Sequence, residues 1–538
     1  MLLDHDACYR ALRTRDARFD GRIFVGVRTT GIYCRPICPA RCARRENVDF
    51  YASAAAAQEA GFRPCLRCRP ECSPDLAAWK GTSSTVSRAL ALITDGALDG
   101  DDSDLEGLAT RLGIGDRQLR RLFRRHLGAS PIAVAQTRRV LLAKQLLHET
   151  RMSMTDVASA AGFGSLRRFN DTFRRLYAKP PSELRRQATE TAGGDMAHAS
   201  LTLTLSYAPP YDWAGMMEFF AARAIDGVEI VEPHRYRRTI SLDGVDGTID
   251  IRPLEGRPAL AATIRFPSVK ALPTILARIR RMFDLGADIA AITRQLGEDP
   301  HLAPLVAARP GLRVPGAWDG FEMAVRAILG QQITVTGARR LAGKLVENHG
   351  RRFMSAETDE NTRASTPARR IAASSADGPP LTHVFPEPGL LVNADLAALG
   401  LPRSRAASLS ALAACVVGDP RIFRTDRSSE EAVSRLRELP GVGEWTAEYI
   451  AMRVLREPDA FPAADLGLLR AMAGDDGIRP SPQALLKRAE AWRPWRAYAA
   501  QHLWSGPRLA RRSEDDAPTR SGTATAKRRP SQAQENVA

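Results

Sequence analysis

The chain has 538 residues, too many for one hydrophobic core, so about three to five domains are expected. Its 77 Lys and Arg outweigh 61 Asp and Glu, leaving a net charge of +16 that suits phosphate contacts, although ribosomal and membrane-surface proteins share such a balance. No run reaches the roughly 18 apolar residues of a membrane span, and the opening MLLDHD lacks a secretory signal, so a cytoplasmic protein without disulfides is expected. Six of the eight cysteines fall between Cys34 and Cys72, which points to metal or reactive thiols.

Residues 1–80 hold Cys34 and Cys38 as C-x3-C and Cys65 and Cys68 as C-x2-C, two close pairs at a domain-sized separation that fit a tetrahedral thiolate zinc site. Cys42 and Cys72 lie nearby, so spacing leaves the choice of four open. The stretches TTGIYCRPICPARCARRENVDFY and GFRPCLRCRPEC resemble the N-terminal domain of Ada adaptive-response regulators, and that resemblance selects Cys34, Cys38, Cys65 and Cys68 as ligands of one Zn2+. It also implies that Cys34 accepts a methyl group irreversibly from a DNA methylphosphotriester, and that Thr30, Arg41, Arg63 and Arg67 hold the DNA backbone. Zinc would keep the sulfur deprotonated yet nucleophilic. Four thiolates on zinc carry about −2 and methylating one leaves about −1, so tighter DNA binding should follow. Without the resemblance, a structural zinc knuckle would be the plainer reading. The run Arg41-Cys42-Ala43 departs from the family by placing another thiol close by.

Residues 105–174 repeat themselves. Leu105, Leu108, Ala109 and Leu112 form a helical stripe, Gly113-Ile114-Gly115 breaks it, and Leu119, Leu122 and Phe123 begin another. Val157, Ala158 and Ala161, the break Gly162-Phe163-Gly164, then Phe169 and Phe173 give a second copy, joined to the first by an apolar helix over 132–147. The duplication, with AGFGSLRRFNDTFRR and the closing PPSELRR, resembles the AraC-type DNA-binding domain. The second helix of each unit is then expected in the major groove, offering Arg117, Gln118, Arg121 and Arg124 from the first and Arg167, Arg168, Asn170 and Arg174 from the second. Taken singly, such Arg-rich faces are usually just solvated. Ala178-Lys179-Pro180 stands where that family has Gly before a final Ser/Thr-Pro, so a different last turn is expected. A regulator of this type implies RNA polymerase as a partner.

Residues 200–310 read as α+β. LTLTLSYAPPYDW alternates like a half-buried strand, 239–242, 248–251 and 260–264 add strands, and 216–225 and 272–283 are helical. Nothing there suggests chemistry, and packing is its expected role.

In residues 311–512, FEMAVRAILGQQITVTGARRLAGKL has helical spacing interrupted at Gly330-Gln331-Gln332. Residues 356–383 read as a disordered insertion, with the core resuming at Leu390, and 513–538 as a disordered basic tail. Cys415, on an Ala-rich helix, reads as core. The stretch LPGVGEWTAEYIAMRVLREPDAFPAAD, 439–465, places the tight turn Pro440-Gly441-Val442-Gly443 between two helical runs, a helix-hairpin-helix whose Gly441 and Gly443 let backbone N–H groups approach a DNA phosphate. The pattern resembles the 3-methyladenine DNA glycosylase II (AlkA) branch of the helix-hairpin-helix glycosylases. That resemblance implies Asp465 as the catalytic carboxylate, Trp445, Tyr449 and Trp504 as the base pocket, and Gln332 where the family has a bulky apolar duplex wedge. Related lyases carry a Schiff-base lysine where Trp445 stands, so cleavage without strand scission is expected. Taken alone, the aromatics would pass for core and Asp465 for a helix cap.

The expected fold is multidomain and mainly α: a four-cysteine zinc α+β domain at 1–80, an all-α double helix-turn-helix domain at 85–190, a small α+β domain at 200–310, and an all-α helix-hairpin-helix domain at 311–512. The expected function joins excision of alkylated bases to methyl-sensing transcriptional regulation, with zinc and no organic cofactor. The rival reading is a regulator whose second half merely clamps DNA.

Overall fold

Short alternating runs near the N-terminus pair into a four-stranded sheet, ordered Val48–Tyr51, Phe24–Val27, Ile32–Cys34 and Arg63–Pro64. The computed structural model describes residues 4–74, 84–100, 104–189, 200–353, 380–423, 429–474 and 476–515. The last two strands run parallel, Ile32 opposite Arg63 and Tyr33 opposite Pro64, so both end at the same edge. That pairing brings the two distant cysteine pairs together.

The duplicated region is helical: Ser84–Thr94, Leu105–Arg111, Asp116–Leu127, Pro131–Glu149, Met154–Ala160, Leu166–Tyr177 and Pro181–Thr189. Leu119, Phe123 and Leu127 bury one face of the third helix, and Phe169, Phe173 and Tyr177 repeat that spacing in the sixth. Gly128 closes the former at φ 71° and Ala178 closes the latter at φ 54°. The expected difference in the last turn is therefore absent. The same left-handed cap forms on alanine, at a cost of about 1–2 kcal/mol from its Cβ.

The next region forms a five-stranded antiparallel sheet, ordered Leu201–Ser206, Ala259–Arg265, Val245–Pro253, Arg235–Leu242 and Glu229–Glu232. Its edge strand Glu229–Glu232 escaped the sequence reading because glutamates bracket only two apolar residues. Burial alone would raise Glu229, but the charges of Arg326 and Arg238 hold it down to about 2. Arg326 lies on the helix Gly320–Leu329, so this buried network ties the sheet to the helical region beyond.

The second helix-turn-helix unit and this sheet share one core, in which Ala143, Phe169 and Leu184 join Leu203, Tyr236 and Phe283. Polar contacts reinforce the junction. Lys144 is fully buried, donating to Glu71 at 2.6 Å and to the Cys65 carbonyl at 2.8 Å. Glu149 accepts from Arg69 at 2.6 Å and from the Thr204 N–H at 2.9 Å. A chain of contacts thus runs from a zinc-ligand residue through the connecting helix to the sheet.

Two expected boundaries move. His383–Val384 pairs with Arg351–Arg352, and the Thr382 N–H donates to Gly227, so the insertion ends before 383; its residues 354–379 lie outside the described residues. The last helix runs Arg496–Asp515, past the expected tail start at 513, and 516–538 lie outside the described residues.

Candidate active site, zinc centre and DNA-binding faces

Cys34 ends the strand Ile32–Cys34, Cys38 lies one turn beyond, and Cys65 follows Arg63–Pro64 with its N–H donated to the Tyr33 carbonyl at 3.0 Å. The Sγ atoms of Cys34, Cys38, Cys65 and Cys68 all lie within 4.8 Å of one another. Four sulfurs converging from two strand ends form a zinc site. Cys34 is half-buried and the other three are buried. Arg35 N–H donates to Cys68 Sγ and Arg67 N–H to Cys65 Sγ, each at 3.3 Å, which drains electron density from those sulfurs. Among the described residues Cys34 Sγ accepts no backbone N–H, so of the four clustered sulfurs it is the least buried and the least damped. Left to themselves the thiols share protons: hydrogen bonding, with Cys38 first, pushes Cys34 up, and bonding with Cys34 draws Cys38 down to about 7. A divalent cation would replace those protons. Exposed Cys42 stands outside the cluster.

The hairpin is formed by Ser429–Arg437 and Glu444–Ile450. Gly441 takes φ +78°, and a Cβ there would meet Ser408 Oγ at 2.1 Å, so only glycine fits. At Gly443 a Cβ would meet nothing within 4 Å, so that side of the turn faces open space where a phosphate backbone can approach. The second helix does not continue unbroken to Leu455, because Ala451–Leu455 widens into a π turn. Gln331 Nε2 donates to the Gly441 carbonyl at 2.8 Å and to Thr446 Oγ1 at 3.0 Å, fastening the loop after Gly320–Leu329 to the hairpin. Thr334, not a glutamine, caps the next helix. Gln332 stands beside this anchor, exposed and at φ 57°, with Ile333 and Val335 exposed next to it.

Asp465 does cap Leu466–Ala471, its Oδ1 accepting the Leu468 N–H at 3.0 Å. It does more. Trp504 donates its indole N–H to Oδ1 and Trp445 donates to Oδ2, each at 2.8 Å. Trp445 and Tyr449 are stacked, with centroids 5.3 Å apart and planes 8° apart, and Tyr449 meets Trp504 edge-on at 6.2 Å. All four side chains are half-buried, so acid and rings line an open notch rather than fill a core. A Cβ on Gly467 would come within 2.9 Å of Asp465 Oδ1 and 3.1 Å of Trp504, so glycine lets ring and acid meet. Trp492 and Trp495, which lie in the same sequence motif as Trp504, are instead buried.

Sequence reasoning missed the back of this notch. Phe219, on the helix Trp213–Ala221 of the sheet-bearing region, lies 4.1 Å from the guanidinium of Arg453, which is 5.5 Å from the Tyr449 ring. A region assigned packing alone therefore helps build the wall. Periodicity gives no sign of it, since Phe219 reads as ordinary core.

Comparison with known proteins matches the metal-binding domain of Ada at 7–71, a helix-turn-helix domain at 108–187 and the AlkA N-terminal domain at 202–319. Over 503 residues, 93% of this chain and 96% of the relative, it is 40% identical to a probable bifunctional transcriptional activator/DNA repair enzyme AlkA of Mycobacterium tuberculosis. The chain belongs to this bifunctional AlkA family. Its two parts also match separate proteins of Escherichia coli: DNA-3-methyladenine glycosylase 2, 33% identical over 56% of this chain and 96% of the relative, and the bifunctional transcriptional activator/DNA repair enzyme Ada, 36% identical over 29% of this chain and 43% of the relative.

In this AlkA-family chain the residues expected to face DNA fall into two groups. Thr30, Arg41 and Arg67 stand exposed, as do Arg117, Gln118, Arg121, Arg167, Arg168 and Arg174, while Asn170 is half-buried. Two others contact a neighbouring part of the chain. Arg63 lies 5.8 Å over the ring of Tyr177, and Arg124 pairs with Glu59 at 2.9 Å, where the zinc domain docks on the first helix-turn-helix unit.

Proposed function

We propose that this chain is a cytoplasmic alkylation-damage protein that removes N3- and N7-alkylated bases at Asp465 and takes a methyl group from DNA methylphosphotriesters onto Cys34. Its domains are the zinc domain at 1–80, the double helix-turn-helix at 85–190, the α+β domain at 200–310 and the glycosylase at 311–512. Through Arg117, Gln118, Arg121, Arg167, Arg168 and Asn170 the regulator reads a promoter, with RNA polymerase as its partner.

The observation that carries the glycosylase reading is the Asp465 carboxylate gripped by two indole N–H groups at the edge of an aromatic notch beside a hairpin turn. An alkylated purine is cationic and prefers electron-rich rings once flipped out of the duplex. The C1′–N bond breaks with its electron pair going to the base, which leaves neutral. The positive charge passes to the sugar, where Asp465 stabilises it, and water closes the new C1′–O bond and gives up a proton. Gly441 and Gly443 hold the phosphate backbone, and exposed Gln332 fills the gap by hydrogen bonding.

At the zinc centre, Cys34 Sγ attacks the methyl carbon, and the C–O bond breaks with its electrons left on the phosphate. Thr30, Arg41, Arg63 and Arg67 orient that backbone. Base release from methylated duplex by the full chain, absent in Asp465→Asn, tests the glycosylase reading; a wild-type chain that only binds DNA would favour the clamp.

A further inference from the structure

Arg453 follows the helix that carries Trp445 and Tyr449 and is 2% exposed. Its Nε and Nη1 have no hydrogen-bond partner, and no carboxylate pairs with it among the described residues. Two other buried guanidiniums are treated differently: Arg238 has Glu322 at 2.6 Å, and Arg326 has Glu322 at 2.7 Å. Burial first draws Arg453 down to about 10, against the pull of the Tyr449 hydroxyl and with the help of the neighbouring cations Arg223 and Arg456, so it keeps its proton at neutral pH. A buried cation without a counter-ion is costly to keep. Its surroundings are rings, Phe219 at 4.1 Å and Tyr449 at 5.5 Å.

The Arg453 guanidinium lies over the Tyr449 ring, 5.5 Å from its centroid, and Tyr449 stacks on Trp445, which together with Trp504 holds Asp465. Resting on the glycosylase reading, we propose that Arg453 is a specificity-determining residue whose fixed charge behind Tyr449 drives positive charge from a cationic base toward the sugar. Before cleavage the charge sits on the base, against Arg453. As the C1′–N bond breaks, its electron pair neutralises the base and the charge appears beside Asp465 instead. A ring with one cation already against it also holds a second less tightly. Arg453 therefore weakens binding of the charged ground state and lowers the barrier to leaving it.

Single-turnover excision of 7-methylguanine from a duplex by the full chain tests this. Arg453→Met should lower the cleavage rate constant by roughly tenfold while also lowering the enzyme concentration needed for half-saturation. Arg453→Lys should keep both near wild type. Should the methionine variant fail to fold, Arg453→Gln, polar but uncharged, makes the same comparison. A merely structural role also slows cleavage but weakens saturation instead of tightening it, and that result overturns the proposal, as does a lysine variant no better than methionine. If the wild type releases no base, the glycosylase reading falls too.

Discussion

Trp504 donates its indole N–H to Asp465 Oδ1 at 2.8 Å, so the last helix of the described chain fixes a carboxylate that an earlier turn supplies. Trp504→Phe keeps a ring but removes the donor. Base excision should slow by about ten- to a hundredfold, from lost positioning, while duplex binding changes little. Single-turnover rates beside a binding titration check this, and an unchanged rate would show that the indole bond does not position the acid.

Lys144 and Glu71 form a fully buried ion pair at 2.6 Å between the connecting helix and the zinc domain. Lys144→Met leaves Glu71 buried short of its main cation, at a cost of about 3–5 kcal/mol. Thermal unfolding should shift down and zinc should be released at lower chelator concentration. Adding Glu71→Met should recover much of the loss. A single-variant loss under about 1 kcal/mol would mean that the pair contributes nothing beyond packing.

One half-buried histidine, His148, and one buried histidine, His502, make the fold acid-sensitive. Burial first, then the nearby charges of Lys144 and Arg309, hold His148 and His502 down at about 4. The unfolded chain, with histidines near 6.5, therefore binds protons that the folded chain refuses between those values. Stability should fall as pH drops from about 6.5 to 4, by up to ~1.4 kcal/mol per pH unit for each histidine. Melting temperature against pH, compared with His502→Leu, checks the sign; equal slopes in the two would exclude His502 as a source.

Ala178 carries φ 54° at a helix end where its counterpart is Gly128. Ala178→Gly should stabilise the regulator by about 1 kcal/mol, read as a higher melting temperature with DNA binding unaltered. Destabilisation would mean that the Ala178 side chain contributes packing worth more than the strain.

Much of this site was legible because its parts are local in sequence. The cysteine pairs, the glycine-broken helical repeats and the turn from Pro440 to Gly443 each announce themselves within a few residues. What stayed hidden depends on tertiary contact. The parallel pairing of Ile32–Cys34 with Arg63–Pro64, the burial of Lys144, and the core that Phe169 shares with Tyr236 have no periodic signature. Gln331, in a break that periodicity alone cannot interpret, is a strut to the hairpin. Arg453 sits in an apolar helical run where an arginine is ordinarily an exposed face, and its burial follows only from Phe219 packing behind it.

One incubation tests the central claim most directly: the purified full chain with methylated duplex, free bases and protein-bound methyl measured together. The wild type should yield both, Asp465→Asn methyl alone, and Cys34→Ser bases alone, with Cys42→Ala matching the wild type. Base release undiminished in Asp465→Asn, or methyl still taken up by Cys34→Ser, would contradict the account.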